Sequence, residues 1–251
     1  MATLFIGQNK VFLPETESTN SYAINLLKNV KCFEGTVVYT HHQTAGRGQR
    51  GNSWQSEPSM NSTLSIIIKP DFLSAKNSFL LSKITALAVY DVLAVLIGHS
   101  QFDIKIKWPN DILVNKKKIS GILIENQYQD EKLKWSVIGI GLNVNQTKFN
   151  EINASSLALI TEKTNNPDEV NELIYKYFEK WYLILKQGRM EEVNIAYLNR
   201  LYGYNQLCKF SEKGQVFEAT IKNVNELGLL ELEINDGSII HYDIKQLSFI
   251  I

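Results

Sequence analysis

The sequence predicts an α+β fold with a small all-β unit at its C-terminus. Three observations carry this. Apolar residues at helical spacing are confined to a few long runs, at 20–30, 77–98 and 167–185. Between them lie short runs rich in β-branched residues, bounded by Gly, Asn and Pro. From residue 204 onward the period switches to two, with Gly214, Gly228 and Asp236-Gly237 at turn positions.

Taken in order, Leu4-Phe5-Ile6 and Val11-Phe12-Leu13 predict two short strands around a Gly7-Gln8-Asn9 turn. A helix follows, capped by Ser18 or Thr19 and running to about Val30, with Tyr22, Ala23, Leu26, Leu27 and Val30 on one face. The polar cluster Ser18-Thr19-Asn20 either caps this helix or offers neutral donors and acceptors to an uncharged ligand group. Strands at 36–39 and 63–68 then flank Gly46-Arg47-Gly48-Gln49-Arg50-Gly51-Asn52-Ser53-Trp54. Its glycines let backbone come close to a ligand or adopt positive φ. Arg47 and Arg50 bring planar forks of donors. Such a loop reads as a clamp for a phosphate or carboxylate. It also matches G-x-G-x-x-G, but a dinucleotide fold needs a helix opening directly from the loop. The next residues, through Pro58, have no helical pattern.

Residues 77–98 predict a long helix stopped by Gly98. Its apolar run is broken by Ser82, Lys83, Thr85 and Asp91, so it reads as a buried helix and not a membrane span. Residues 104–107 alternate as a strand with one wet face. In Lys107-Trp108-Pro109-Asn110-Asp111, Pro109 removes a backbone donor and restricts Trp108, which places the pentapeptide at a strand end or bulge. After the Asn115-Lys116-Lys117 turn, a strand over 118–125 opens with Lys118, and Gly121 within it marks close approach of a ligand or another backbone. The strand 133–142 holds Gly139 and Gly141, which weaken it unless something passes close by.

Asn166-Pro167 is an N-cap and first-turn proline for a helix striped by Val170, Leu173, Ile174, Tyr177, Phe178, Trp181 and Leu185. A shorter helix covers 190–201. Strands at 207–210, 216–224, 229–234 and 238–242 predict a small β-barrel or β-roll. The expected division is therefore a domain over 1–203 and a second over 204–251.

The 26 basic and 26 acidic residues cancel, so no global field holds nucleic acid and any anion site is local. Cys32 and Cys208, far apart and in no metal-ligand spacing, suit a reducing cytosol. The first residues lack a basic region and a long apolar core, so no signal peptide and a cytoplasmic location are expected.

Four motifs converge: Gly46-Arg47-Gly48-x-Arg50-Gly51-x-x-Trp54, Lys107-Trp108-Pro109-Asn110-Asp111, Lys118-x-x-Gly121-Ile122-Leu123-x-Glu125 and Gly139-Ile140-Gly141-x-Asn143-Val144-Asn145. In order and spacing they resemble the biotin–protein ligases, from about Ser18 to the C-terminus. The resemblance implies a mixed sheet with helices packed on one face, plus a small SH3-like barrel. It implies a ligase using ATP and Mg2+ that forms biotinyl-5′-AMP and transfers biotin to a lysine of a biotin carboxyl carrier domain.

By the same resemblance Arg47 and Lys118 surround the carboxylate and α-phosphate, and Asp111 either helps place Mg2+ or orients the incoming lysine. No metal site fixed by protein alone is expected. Biotin would be held by Ser18, Thr19, Asn20, Gln43, Arg47, Gly48, Gln49, Lys118, Gly121 and Ile122. The nucleotide would meet Gly46, Arg47, Trp54, Lys107, Asn110, Lys118 and Asn143.

The chain departs from the family's commonest pattern in three places. Gln49 stands where many members carry a second Arg, and Asn52 replaces a basic residue. Ser59-Met60-Asn61-Ser62 stands where Gly-x-Asn-Leu is usual. Some members carry an N-terminal winged-helix domain. The Ser-Thr-Asn cluster at Ser18 leaves no room for one here, so no DNA partner is expected. No membrane partner is expected either, and the family includes both monomers and homodimers. Two alternatives stand beside this reading: a lipoate–protein ligase of the same superfamily, and a non-catalytic anion-binding module. Gly121 is followed by Ile122 where lipoate ligases carry a small residue, and no His-Asp pair is present.

Overall fold

A computed structural model describes residues 3–29, 32–98, 101–150, 153–244 and 246–250. Seven strands form the main sheet: β1 (Lys10–Leu13), β2 (Val37–Thr40), β3 (Ser62–Ile68), β4 (Ile104–Lys107), β5 (Asp111–Val114), β6 (Lys117–Gln129) and β7 (Lys132–Leu142). Their order is β1-β2-β3-β7-β6-β5-β4. β1 and β2 are parallel and every other pair is antiparallel, so the sheet is mixed, as expected.

Alternation along β3 divides the sheet into two faces. Leu64, Ile66 and Ile68 join the large apolar cluster. Over it lie α2 (Phe79–Ile97), α4 (Pro167–Lys186) and α5 (Met190–Arg200). By length and composition α2 could cross a membrane, but most of it is buried between α4 and the sheet. Helix α3 (Leu157–Thr161) is a single short turn of helix. The exception to the expected single helical face is α1 (Thr19–Asn29). Its Ala23 packs with Val38, Ile67 and Val137 on the opposite side of the sheet.

Some expectations need correction. Residues 4–6 are not a strand. The buried Glu179 carboxylate of α4 accepts hydrogen bonds from the backbone N–H groups of Leu4, Phe5 and Ile6, which satisfies them without a ladder. Tyr22 is exposed and not part of the inner face of α1, and Val30 lies outside the described residues.

At the C-terminus β8 (Leu207–Glu212), β9 (Gln215–Val224), β10 (Leu230–Glu233), β11 (Ile239–Tyr242) and β12 (Ser248–Ile250) form a five-stranded antiparallel sheet in the order β11-β10-β9-β8-β12. Strand β12 is a finding, since only four strands were expected there. It is three residues long, too short for period two to register. The apolar cluster of the main sheet continues into Phe210, Ala219, Ile221, Val224, Leu230 and Leu232. Two hydrogen bonds fasten the C-terminal sheet to the turn after β4 and to α2. Trp108 Nε1 donates to Gly228 O at 2.9 Å, and buried Lys83 donates through Nζ to Val224 O at 2.7 Å.

Candidate active site

The sheet face under α1 carries small and polar residues where the strands approach their ends. Gly121 and Gly141 are cross-strand partners, and Thr63 and Gly139 lie beside them on the same face. A Cβ on Gly141 would overlap the Trp54 indole, and one on Gly121 would come within 3.0 Å of it. A Cβ on Gly139 would overlap the Asn20 carboxamide. Something does pass close to these glycines, but at Gly121 it is a side chain and not the ligand or backbone expected there: side chains from the glycine loop and from α1 make the approach.

The loop itself is tightly folded. Trp54 N donates to Gly46 O at 2.8 Å, and Gly48 N donates to Asn52 O at 2.7 Å. A 3-10 turn spans Gln49–Gly51, with Gly51 at φ 87°.

A cavity of about 390 Å³ opens between these elements. Ser18, Thr19 and Asn20 reach it from the start of α1. Gln43, Arg47, Gly48, Gln49 and Trp54 reach it from the loop, and Lys107, Asn110, Asp111 and Lys118 from the far side. Gly121 and Ile122 lie between. Two predicted residues do not line it. Gly46 sits behind the loop, its carbonyl bonded to Trp54 N. Asn143 is buried behind the wall, donating through Nδ2 to Ser155 O at 2.9 Å.

The cavity has two ends of different chemistry. One is polar and neutral. Gln43 Oε1 accepts from Thr19 N at 2.9 Å, and Ser65 Oγ lies 2.8 Å from Thr19 Oγ1 and 2.6 Å from Asn20 Oδ1. The other end is charged. Lys118 Nζ stands 3.1 Å from Asp111 Oδ1 and 5.8 Å above the centre of the Trp54 ring. Asn110 Nδ2 donates to Ile122 O at 3.0 Å, which joins the turn after Pro109 to β6. Arg47 lines the same cavity, but its guanidinium turns to Glu125 Oε1 at 2.6 Å and to Ser21 Oγ at 3.1 Å. Lys118 and Arg47 are thus each held by a carboxylate, while Lys107 Nζ stands 5.5 Å from the centre of the Phe249 ring. Trp54 Nε1 is buried with no partner.

The model of the biotin/lipoate A/B protein ligase family matches residues 12–143, more than half of the chain. The chain belongs to this family. Among relatives, the bifunctional ligase/repressor BirA of Bacillus subtilis is 28% identical over 94% of this chain and 73% of its own length. The biotin–[acetyl-CoA-carboxylase] ligase of Paracoccus denitrificans is 30% identical over 75% of this chain and 79% of its own. Among solved structures, the biotin protein ligase of Aquifex aeolicus in complex with biotin and ATP is 25% identical with a TM-score of 0.77, covering 96% of this chain and 98% of that one. The enzyme of Leishmania major in complex with biotinyl-5-AMP is 26% identical with a TM-score of 0.64, covering 94% and 99%.

In this member of the biotin/lipoate ligase family, Ser59 takes φ 60°, a backbone conformation that favours glycine. Asn61 keeps the segment in place, accepting from Val144 N at 3.0 Å and donating to Gln146 Oε1 at 2.6 Å. Sequence reasoning missed Ser65 and the wall formed by Ile244, Leu247, Ser248 and Phe249, and it placed Glu125 in a motif without giving it a role. The signal for Ser65 was present, as Thr63 and Ser65 alternate with Leu64 and Ile66 in an otherwise apolar strand. Nothing local in the sequence pointed to the C-terminal wall.

Proposed function

We propose that this protein is an ATP-dependent biotin–protein ligase. The observation that carries the reading is one cavity with a neutral, amide-rich end and a charged end carrying Lys118. Biotin has the matching polarity, a neutral ureido ring at one end and a carboxylate at the other. Thr19, Asn20, Gln43 and Ser18 suit the ring, and Lys118 suits the carboxylate. The relatives and solved structures described above are biotin enzymes, which favours biotin over lipoate.

In the first step a biotin carboxylate oxygen attacks the α-phosphorus of ATP. The α–β phosphoanhydride breaks, and pyrophosphate leaves. An anion meets a polyanion here, so a fixed cation lowers the barrier, and a removed donor at such a site costs about 3–4 kcal/mol. We assign Lys118 to this role, exchanging Asp111 for the ligand, with Lys107 and Asn110 toward the nucleotide. In the second step the ε-amine of a carrier lysine attacks the acyl carbon, the C–O bond to phosphate breaks, and AMP leaves. That amine has a reference pKa of about 10.4, so it must lose a proton, and Asp111, freed from Lys118, is a suitable nearby acceptor.

Among the described residues no cluster of three His, Cys, Asp or Glu side chains could hold a metal. We assign Mg2+ to the ATP phosphates, with Asp111 the one carboxylate among the described cavity-lining residues that could touch it. We assign residues 1–203 to catalysis and 204–251 to a small SH3-like domain that closes the site. The partner is a biotin carboxyl carrier domain, in the cytoplasm. The test is intact-mass analysis of such a domain after incubation with the protein, biotin and Mg-ATP. The expected result is one added biotinyl group, dependent on all three. No added mass, or addition with lipoate alone, overturns the reading.

A further inference from the structure

Glu125 does not line the cavity, yet it ties together the two elements that form its neutral end. It lies on β6, on the same face as Gly121 and Leu123. Its Oε1 takes the Arg47 guanidinium of the glycine loop at 2.6 Å, and its Oε2 takes Asn20 Nδ2 of α1 at 2.9 Å. A carboxylate is an acceptor only, with room for several donors, so one ionised group serves both partners at once. Asn20 then meets Ser65, Ser65 meets Thr19, and Thr19 meets Gln43. The path begins and ends on one segment, at Arg47 and Gln43. The entrance and the first residues of the glycine loop are thus fixed to the start of α1 through a single carboxylate.

We propose that Glu125 is a positioning residue: through Arg47 and Asn20 it latches the glycine loop onto the end of the cavity that receives the neutral ligand ring. Arg47, on this account, anchors the loop and leaves the reacting anion to Lys118. The proposal rests on the biotin reading for the identity of the ligand, but the latch itself is a property of the unliganded protein. The Arg47 and Glu125 side chains are 45% and 26% exposed, so solvent screens the pair and its contribution is moderate.

The test uses Glu125→Gln, which keeps shape and removes the charge. Trypsin can cut the Arg47–Gly48 bond only after the Arg47 side chain leaves Glu125, so the rate of cutting reads the open population. In the ligand-free variant that rate should rise about threefold to fivefold, the weight of one partly exposed ion pair. Cutting after Lys213, in the exposed turn between β8 and β9, should not change. In pyrophosphate release, KM for biotin should rise about threefold to fivefold while kcat and KM for ATP stay within about twofold. Two results overturn the proposal. One is an Arg47–Gly48 cutting rate and biotin KM equal to those of the parent protein. The other is a parallel worsening of biotin KM, ATP KM and melting temperature, which marks a purely structural role. Should the parent protein release no pyrophosphate with biotin, the ligase reading fails while the trypsin comparison still decides the latch.

Discussion

Replacing Lys118 by alanine should harm chemistry far more than folding. Lys118 is the second residue of β6, at the cavity edge, with its ammonium 3.1 Å from Asp111 and the two side chains 26% and 19% exposed. A pair this open to water contributes about 1 kcal/mol or less to stability. Asp111 keeps access to solvent once the lysine is gone, so no fully buried charge is stranded. The catalytic term is larger. A fixed donor removed from the point where charge develops costs about 3–4 kcal/mol, a factor of about 10²–10³ in rate. The assay is single-turnover pyrophosphate release with saturating biotin and Mg-ATP, run beside urea unfolding of the same samples. The expected result is adenylate formation slowed at least a hundredfold in a protein whose unfolding free energy falls by about 1 kcal/mol. A burst of unchanged amplitude and rate refutes the role given to Lys118. Activity lost only in proportion to unfolded protein refutes it equally.

Three further outcomes are expected. Ser59→Gly should stabilise the protein by about 0.5–1 kcal/mol in urea titrations, because Ser59 holds φ 60°, where an L side chain is strained and glycine is not; a loss of stability would contradict this. Truncation before Tyr204 should abolish pyrophosphate release, because it removes Phe249 and its neighbours from the cavity wall, strips Trp108 of its acceptor and leaves buried Lys83 with Asn194 but without Val224 O; full turnover by a stable fragment would contradict that. Burial pushes Lys83 down to about 8, against the opposing pull of Glu231, Glu226 and Glu191. The folded chain therefore holds fewer protons than the unfolded one between pH 8 and the ordinary lysine value, so stability relative to Lys83→Met should rise over that window, by up to about 3 kcal/mol. Above pH 10 both proteins should lose stability together, because burial raises Tyr175, Tyr182 and Tyr197 and only the unfolded chain ionises them there, which leaves the difference between the two unchanged. A flat difference between the two proteins from pH 8 to 10 would remove Lys83 as the cause.

Much of the site was legible because it is built from backbone constraints that leave sequence marks. Gly121 and Gly141 had to be bare for Trp54 to lie on them, and Gly139 for Asn20. Pro109 had to end β4 so that Asn110 and Asp111 could turn toward β6. What escaped was long-range. The pairing of Arg47 with Glu125 joins residues 78 apart, and nothing local marks it. An arginine in a glycine loop looks the same whether it awaits an anion or already has one. The N-terminal strand expected at residues 4–6 failed for a similar reason. Its apolar residues fit a strand, but the acceptors for its N–H groups sit on Glu179, far along the chain. Ile244, Leu247, Ser248 and Phe249 reach the cavity from a sheet that packs on the rest of the chain through Trp108 and through Lys83 of α2.

The most direct measurement is a crystal structure with biotinyl-5′-AMP bound. The predicted result places the ureido ring among Thr19, Asn20 and Gln43, and the acyl phosphate about 3 Å from Lys118 Nζ, with the Lys118–Asp111 contact broken. An adenylate bound away from this cavity, or one that leaves Lys118 on Asp111 and out of reach of the phosphate, would contradict the account.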